Sequence, residues 1–319
     1  MKSLNIKDYN DNIPSVITVG TFDGIHLGHR KLIEKVLDIS ESENLRSIVL
    51  TFDPHPRVVL NNDNNISLLT TLEEKNSLLE SVNLDYLIIQ EFSQEFSSLT
   101  PIEYVKTILV EKLNAKHVVI GYDHHFGKNR KANSEKLHEF SNLFDFKVTE
   151  VEVLIKDNIS ISSTKVRNLV FEGRIREANA LLGYEFILTG KVIKGLGRGK
   201  NLGFPTANIV VDSDKIKPAN GVYFIKSEIN GESFFGMMNI GQNPTFTDKD
   251  FSIEVNFFDF ENNLYDRHLT IKVIQKIRDE IKFDTPELLS LQLDADKKKC
   301  FHLIRTCLLY TSPSPRDRG

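Results

Sequence analysis

Only two cysteines, Cys300 and Cys307, occur in 319 residues. That scarcity excludes a disulfide framework and a multi-cysteine metal site. No apolar run reaches the roughly 18 residues of a membrane span, so no span is expected. The opening residues, MKSLNIKDYNDNIP, lack the apolar stretch of a secretory signal peptide. A basic surplus is missing too, the formal net charge being −4. Nucleic-acid binders usually need Lys and Arg in excess to neutralise phosphates. No nucleic-acid or membrane partner is therefore expected, and small phosphorylated ligands suit the charge better. Repeats and low-complexity linkers are absent. Together these absences point to the cytoplasm.

What is present reads as two domains. The composition, 40% hydrophobic and 26% charged, is that of a globular protein. In the first half, short β-branched runs alternate with helical patterns. Val16–Val19, Ser47–Phe52, Tyr86–Ile89 and Val118–Ile120 are predicted strands. Pro101–Leu113 is a predicted helix capped by Thr100, and Ser163–Leu182 another, stopped by Gly183. Such alternation implies a parallel sheet. Beyond Phe186 the runs are short and β-patterned: Gly221–Ile225, Phe234–Ile240, Ile253–Phe258 and Leu269–Ile274, with a hairpin turn at Asn230-Gly231. An antiparallel barrel or sandwich is expected there. A helix over Thr285–Lys299 follows, and the boundary is placed near Gly183–Phe186.

The strongest signal of the first half is Val19-Gly20-Thr21-Phe22-Asp23-Gly24-Ile25-His26-Leu27-Gly28-His29. It follows a strand and opens a helix, where free N–H groups and a partial positive charge favour phosphate. Gly24 and Gly28 allow close backbone approach. His26 and His29, one turn apart, can face one side and hold the phosphates of ATP as charge builds on a leaving pyrophosphate. The bland alternative is a pair of surface histidines at a helix cap; a zinc site is a weaker rival for want of further ligands. A second anion signal is Ile161-Ser162-Ser163-Thr164-Lys165-Val166-Arg167, with hydroxyls at a helix start and Arg167 one turn in. Alone, it could be a plain serine cap.

In the second half, Gly195-Leu196-Gly197-Arg198-Gly199-Lys200-Asn201-Leu202-Gly203 precedes Phe204-Pro205-Thr206-Ala207-Asn208. Gly197, Arg198, Lys200 and Gly203 could close over phosphates. The Thr206 hydroxyl and Asn208 amide oxygen are hard ligands suited to Mg²⁺ carried by ATP. Gly-Lys-Ser/Thr is absent, so this is not a Walker loop. In Ile253–Phe258, alternation turns Glu254 away from Ile253 and Val255. Glu254 is thus a candidate base, although a solvent-facing strand glutamate is common.

Taken together, these segments resemble the bacterial bifunctional riboflavin kinase/FMN adenylyltransferases, or FAD synthetases. Thr51-Phe52-Asp53-Pro54-His55-Pro56 is similar to that family's flavin-side loop. Gly121-Tyr122-Asp123-His124-His125-Phe126-Gly127 is similar to its Gly-x-Asp-Phe-x-Phe-Gly segment, and the Ser163 segment to its Ile-Ser-Ser-Thr-x-(Ile/Val)-Arg. Pro-Thr-Ala-Asn, Gly221-Val222-Tyr223, Asn239-Ile240-Gly241-Gln242-Asn243-Pro244-Thr245-Phe246, the Glu254 strand and Arg278-Asp279-Glu280-Ile281-Lys282-Phe283 resemble its kinase half. His124 and Ala132 depart from the family pattern. The resemblance implies a Rossmann-like α/β nucleotidyltransferase domain over 1–184. It implies an antiparallel Greek-key barrel with a C-terminal helix over 185–305. Residues 306–319 fit neither domain and read as a disordered extension or a gene-end artefact.

The resemblance also implies roles. Riboflavin, FMN and ATP are the substrates and Mg²⁺ the cofactor, and transient self-association is compatible with it. Gly20, Phe22, Asp23, Gly24, His26, His29, Ser163, Thr164 and Arg167 bind ATP in the first half. Gly197, Arg198, Lys200, Gly203, Thr206 and Asn208 do so in the second. His55, Pro56, Asp123, Asn239, Glu254 and Arg278 face flavin. The rival readings are a single-function nucleotidyltransferase with a flavin-binding barrel, and a non-enzymatic binding module.

Overall fold

β2, Ser15–Val19, is buried from end to end, and its β-branched residues are covered on both faces. β1 (Lys2–Asn5), β3 (Arg46–Asp53), β4 (Tyr86–Glu91), β5 (Ala115–Gly121) and β6 (Lys147–Val151) complete a sheet in the order β1-β4-β3-β2-β5-β6. Every pairing in it is parallel. Alternate residues serve opposite cores. Ile17, Ile48, Leu50, Val118 and Ile120 join one cluster, while Val16, Val49, Leu87 and Val119 join the other. Near-continuous apolar strands are what a sheet buried on both faces requires. The second cluster packs α1 (Leu27–Glu43) through Ile33, Val36 and Ile39. The computed structural model describes all residues except 62–66, 123, 129–131, 157–158, 196–202, 243–250 and 312–319; side chains at 61, 155, 156, 159, 242, 251 and 306–311 are also left out.

After β2 the chain builds β3 and β4 on one side, then returns to lay β5 on the other. The carboxyl ends of β2 and β5 therefore flank a topological switch point, where open α/β sheets bind ligands. Between β3 and β5 the chain also forms α2 (Pro56–Asn61), α3 (Leu72–Glu80), α4 (Gln94–Ser97) and α5 (Pro101–Tyr104). Thr100 and Glu103 form a reciprocal capping box ahead of α5, with Pro101 at its first position, as the sequence predicts. The helix then widens over Val105–Lys112, Leu113 N–H reaching the Ile108 carbonyl. α6 (Ser134–Phe144) and the short hairpin of β7 (Ile155–Lys156) and β8 (Ile159–Ser160) follow.

Ser163–Leu182, expected as one helix, is two: α7 (Ser163–Phe171) and α8 (Ile175–Leu182). Gly173, at φ 74°, ends α7. Gly173 N–H reaches Val170 O and Arg174 N–H reaches Leu169 O, the bond pattern of a glycine-terminated helix. The chain divides into two compact units, Met1–Val166 with Leu181–Gly183, and Arg167–Ala180 with Tyr184–Gly319. Arg167–Ala180 thus packs with the second unit, ahead of the boundary expected at 184/185. Asn179 shows why: its amide donates to the Val273 and Ile274 carbonyls and its oxygen accepts from Phe186 N–H.

The second unit is a closed antiparallel barrel ordered β10-β13-β12-β11-β14-β9. Its strands are β9 (Phe186–Ile193), β10 (Ala207–Val211), β11 (Gly221–Ile229), β12 (Glu232–Gln242), β13 (Phe251–Phe257) and β14 (His268–Arg278). β11, β12 and β13 meander, and β10 lies beside β13, which is a Greek key. The Asn230-Gly231 hairpin turn forms as read, both residues at positive φ. Tyr223, Met238 and Val255 share one buried face by register. On the opposite face Val222, Phe224 and Met237 cluster with Cys300 of α9 (Pro286–Thr311). α9 outruns the predicted helix end at Lys299 and takes in 306–311, which the sequence assigned to a tail either disordered or artefactual; residues 312–319 lie outside the described residues.

Asn179→Ala should therefore lower the stability of the second unit by about 2–3 kcal/mol, because it leaves a backbone donor and two acceptors without their partner. Urea unfolding should show a lower midpoint for the barrel, and an unchanged midpoint would contradict this account.

Candidate active sites

The loop leaving β2 is bent against local preference. Phe22 and Ile25 sit at φ 46° and 34°, unusual for side chains of their bulk. Each is about 1% exposed, so hydrophobic burial offsets the backbone cost. Gly24 lies at φ 85°, and a Cβ there would meet Leu69 Cδ1 at 2.8 Å. The bend is held by Thr70. Its N–H donates to Asp23 Oδ1 at 3.0 Å, and its hydroxyl accepts from Gly24 N–H at 3.0 Å. The buried Asp23 carboxylate therefore fastens the loop. Ser163, first residue of α7, donates its hydroxyl to the Asp23 carbonyl at 2.8 Å, while Ser162 Oγ caps the helix at Lys165 N–H.

The predicted histidine pair forms. His26 is the N-cap of α1, its Nδ1 accepting from His29 N–H at 3.3 Å. The two rings stack with centroids 3.6 Å apart and planes 13° from parallel. Phe22 meets His29 edge-on. Burial, then His26 and Lys75, hold His29 well below the usual imidazole range. It is neutral at physiological pH and can donate one N–H to an anion without bringing a charge. Its Nδ1 is buried with no hydrogen-bond partner among the described residues, a condition that native interiors seldom leave in place.

Lys75 is the residue that the sequence reading missed. It lies on α3, 7% exposed, and its ammonium donates to Thr21 O at 2.7 Å and Thr51 Oγ1 at 3.0 Å. Burial pulls its pKa down to about 8, against the opposing pull of Asp23 and Asp53. A pocket here is lined by Thr21, Asp23, Asp53, His55, Thr70 and Lys75, among others. His55 thus reaches the cleft, and Pro56 follows it as the first residue of α2. The rings of Phe52, Phe92 and Phe96 stand against one another beside it. His124 stacks on Phe126 at 5.7 Å, so the imidazole supplies a flat ring where an aromatic was expected. Ala132 is buried and exchanges backbone hydrogen bonds with Phe126. Asp123 lies outside the described residues.

In the barrel, register gathers the other candidates into one row. Arg278 lies opposite Val222, Val222 opposite Asn239, Asn239 opposite Glu254, and Glu254 opposite Asn208. Directly opposed residues share a face of the sheet, so Glu254 is flanked by two asparagines. Thr206 Oγ1 lies 3.3 Å from Glu254 Oε2. Asn256, one step along the same face, donates to the Pro205 carbonyl at 2.8 Å and so fixes the Pro-Thr-Ala-Asn turn. A Cβ on Gly195 would lie 1.9 Å from Asn208 Nδ2, so any larger residue there would displace the Asn208 amide. Gly203 is at the turn, at φ 79°. Gly197, Arg198 and Lys200 lie outside the described residues.

Arg278, at the end of β14, is held by α9. Its Nε and Nη2 bind the buried Asp296 of α9, and Nη1 donates to the Asp279 carbonyl. Thr164 is exposed on the first turn of α7, and Arg167 follows one turn in. No group of three or more His, Cys, Asp or Glu among the described residues could hold a metal ion. Nor is any described helix long and apolar enough to cross a membrane.

Comparison with known proteins follows this division. A family model described as FAD synthetase matches residues 8–165, and one described as riboflavin kinase matches 182–304. The chain is 40% identical over 289 residues to a bifunctional riboflavin kinase/FMN adenylyltransferase of Listeria monocytogenes, covering 90% of this chain and 91% of the relative. It is 38% identical over 307 residues to one of Buchnera aphidicola, covering 94% and 97%. A crystal structure described as a macrolide-efflux protein from Streptococcus pneumoniae superimposes with a TM-score of 0.85 at 32% identity, over 93% of this chain and 97% of that one. It shares this fold.

Thr70→Val should cost about 1–3 kcal/mol, because it leaves the buried Gly24 N–H unpaired. Thr70→Ser should restore most of that. Thermal unfolding of the three proteins distinguishes the lost hydrogen bond from a lost methyl contact.

Proposed function

The chain belongs to the bifunctional riboflavin kinase/FMN adenylyltransferase family, and on that premise we propose which residues carry each of its two reactions. It phosphorylates riboflavin to FMN with ATP, then transfers the adenylyl group of a second ATP to FMN, giving FAD and pyrophosphate. We assign the first reaction to the barrel, residues 185–305, and the second to the parallel-sheet domain, residues 1–184. ATP dependence favours the cytoplasm as the place of both.

In FMN adenylylation an FMN phosphate oxygen bonds to the α-phosphorus of ATP, while the bond from that phosphorus to the β-phosphate oxygen breaks. The nucleophile is already an anion, so no strong base is required. Orientation and charge stabilisation do the work. His26 and His29 donate to the ATP phosphates, His29 as a neutral imidazole. The unpartnered His29 Nδ1 supports this. Gly20, Phe22 and Gly24 shape the backbone that the nucleotide meets, and Asp23 holds that shape through Thr70. Ser163, Thr164 and Arg167 serve the phosphates, and His55, Pro56 and Asp123 the flavin.

In riboflavin phosphorylation Glu254 accepts the proton of the 5′-hydroxyl as its oxygen bonds to the γ-phosphorus and ADP departs. One observation carries this assignment: Glu254 lies between Asn208 and Asn239, with the Thr206 hydroxyl at 3.3 Å. A hydroxyl, an amide oxygen and a carboxylate on one face form a hard-oxygen donor set that fits Mg²⁺. Thr206 and Asn208 would hold the ion, which neutralises phosphate charge when bound. Gly197, Arg198, Lys200 and Gly203 would cover the phosphates. Asn239 faces the flavin. Arg278, bound to Asp296, supports the strand end that faces it.

Purified protein given riboflavin and Mg-ATP should form FMN, then FAD, on chromatography of the flavins. Glu254→Gln should slow FMN formation by about 10²- to 10⁴-fold and leave the conversion of supplied FMN to FAD. His29→Ala should do the reverse, slowing FAD formation by about 10²- to 10³-fold. Loss of both steps in a folded variant would refute the division of labour.

A further inference from the structure

We propose that Lys75 is a positioning residue for FMN adenylylation, its buried ammonium tying the ATP-side loop after β2 to the flavin-side end of β3. The inference rests on the adenylylation reading above. Two tethers make this link: Thr21 O belongs to the loop that precedes His26, and Thr51 Oγ1 to the strand that ends beside His55. Thr51 Oγ1 also donates to Thr21 O at 3.2 Å, so the three groups form one closed knot. The side chain lines the same pocket as Asp23, Asp53 and His55.

Stability alone is a poor reason for this lysine. Lysine is seldom buried, and burying its charge is costly. Here both hydrogen-bond partners are neutral oxygens. The reaction supplies the reason, since it brings two polyanions together in a cleft that already holds two carboxylates. A fixed cation between the two loops sets their spacing and offsets that repulsion. Asp23, Asp53, His29 and His55 are the titratable groups that border it. Its positive charge also helps to keep His29 neutral.

The sign of the pH effect follows. Lys75 loses its proton as pH rises through about 8, so kcat/KM for adenylylation should fall on that side. The test uses the full-length chain with FMN and Mg-ATP across neutral to alkaline pH, with riboflavin phosphorylation in the same samples as the control for protein amount. Lys75→Met keeps length without charge and should lower adenylylation about a hundredfold. Lys75→Arg keeps the charge; it should recover part of the rate and move the alkaline fall upward. Lys75→Met within twofold of the parent would overturn the proposal. So would a parent and Lys75→Arg with the same alkaline fall, which decides the matter even if Lys75→Met does not fold. A parent that forms no FAD from FMN overturns the underlying reading, and this inference with it.

Discussion

The exchange between Asp23 and Thr70 is the constraint on which the loop after β2, and with it the proposed adenylylation site, depends. The loop turns sharply off the end of β2, with a phenylalanine and an isoleucine at positive φ. Neither residue would adopt that backbone alone. Their burial holds the loop from within, and the two Thr70 hydrogen bonds hold it from the side. Only then does His26 arrive at the mouth of α1 with its ring stacked on His29.

The two reactive sites solve one problem by different means. As proposed, both receive ATP phosphates in a chain with an acidic balance. At the proposed adenylylation site a helix mouth, two stacked imidazoles and a buried lysine gather near the switch point of a parallel sheet. The second uses cross-strand register, which sets Asn208, Glu254 and Asn239 side by side. A one-residue slip of β13 would turn Glu254 into the Ile253–Val255 face. The apolar packing of the barrel is thus also what aims its carboxylate.

Much of the fold was legible in the residues. The alternation of β-branched runs with helical spacing gave the parallel sheet, and Asn230-Gly231 gave the β11–β12 hairpin of the barrel. Local physics decides both. The polar short strands β1 and β6 escaped notice, because an edge strand needs neither an apolar run nor a covered face. The break at Gly173 was visible as a glycine but was read through, since helical spacing continues on either side of it. His124 looked like a departure until its stacking on Phe126 showed that a flat ring is kept.

The sequence by itself determined the chemistry on offer: the imidazoles at a helix start, the Pro-Thr-Ala-Asn turn, and a glutamate facing away from the apolar side of its strand. Periodicity and backbone preference act over a few neighbouring residues, so one chain suffices to read them. Only the tertiary structure decided that Lys75 is buried beside Thr21 and Thr51, that Asp23 is spent on Thr70, and that Arg278 is spent on Asp296. Those pairings join residues far apart in sequence, and which partner desolvates or neutralises a charge depends on packing that no local pattern encodes.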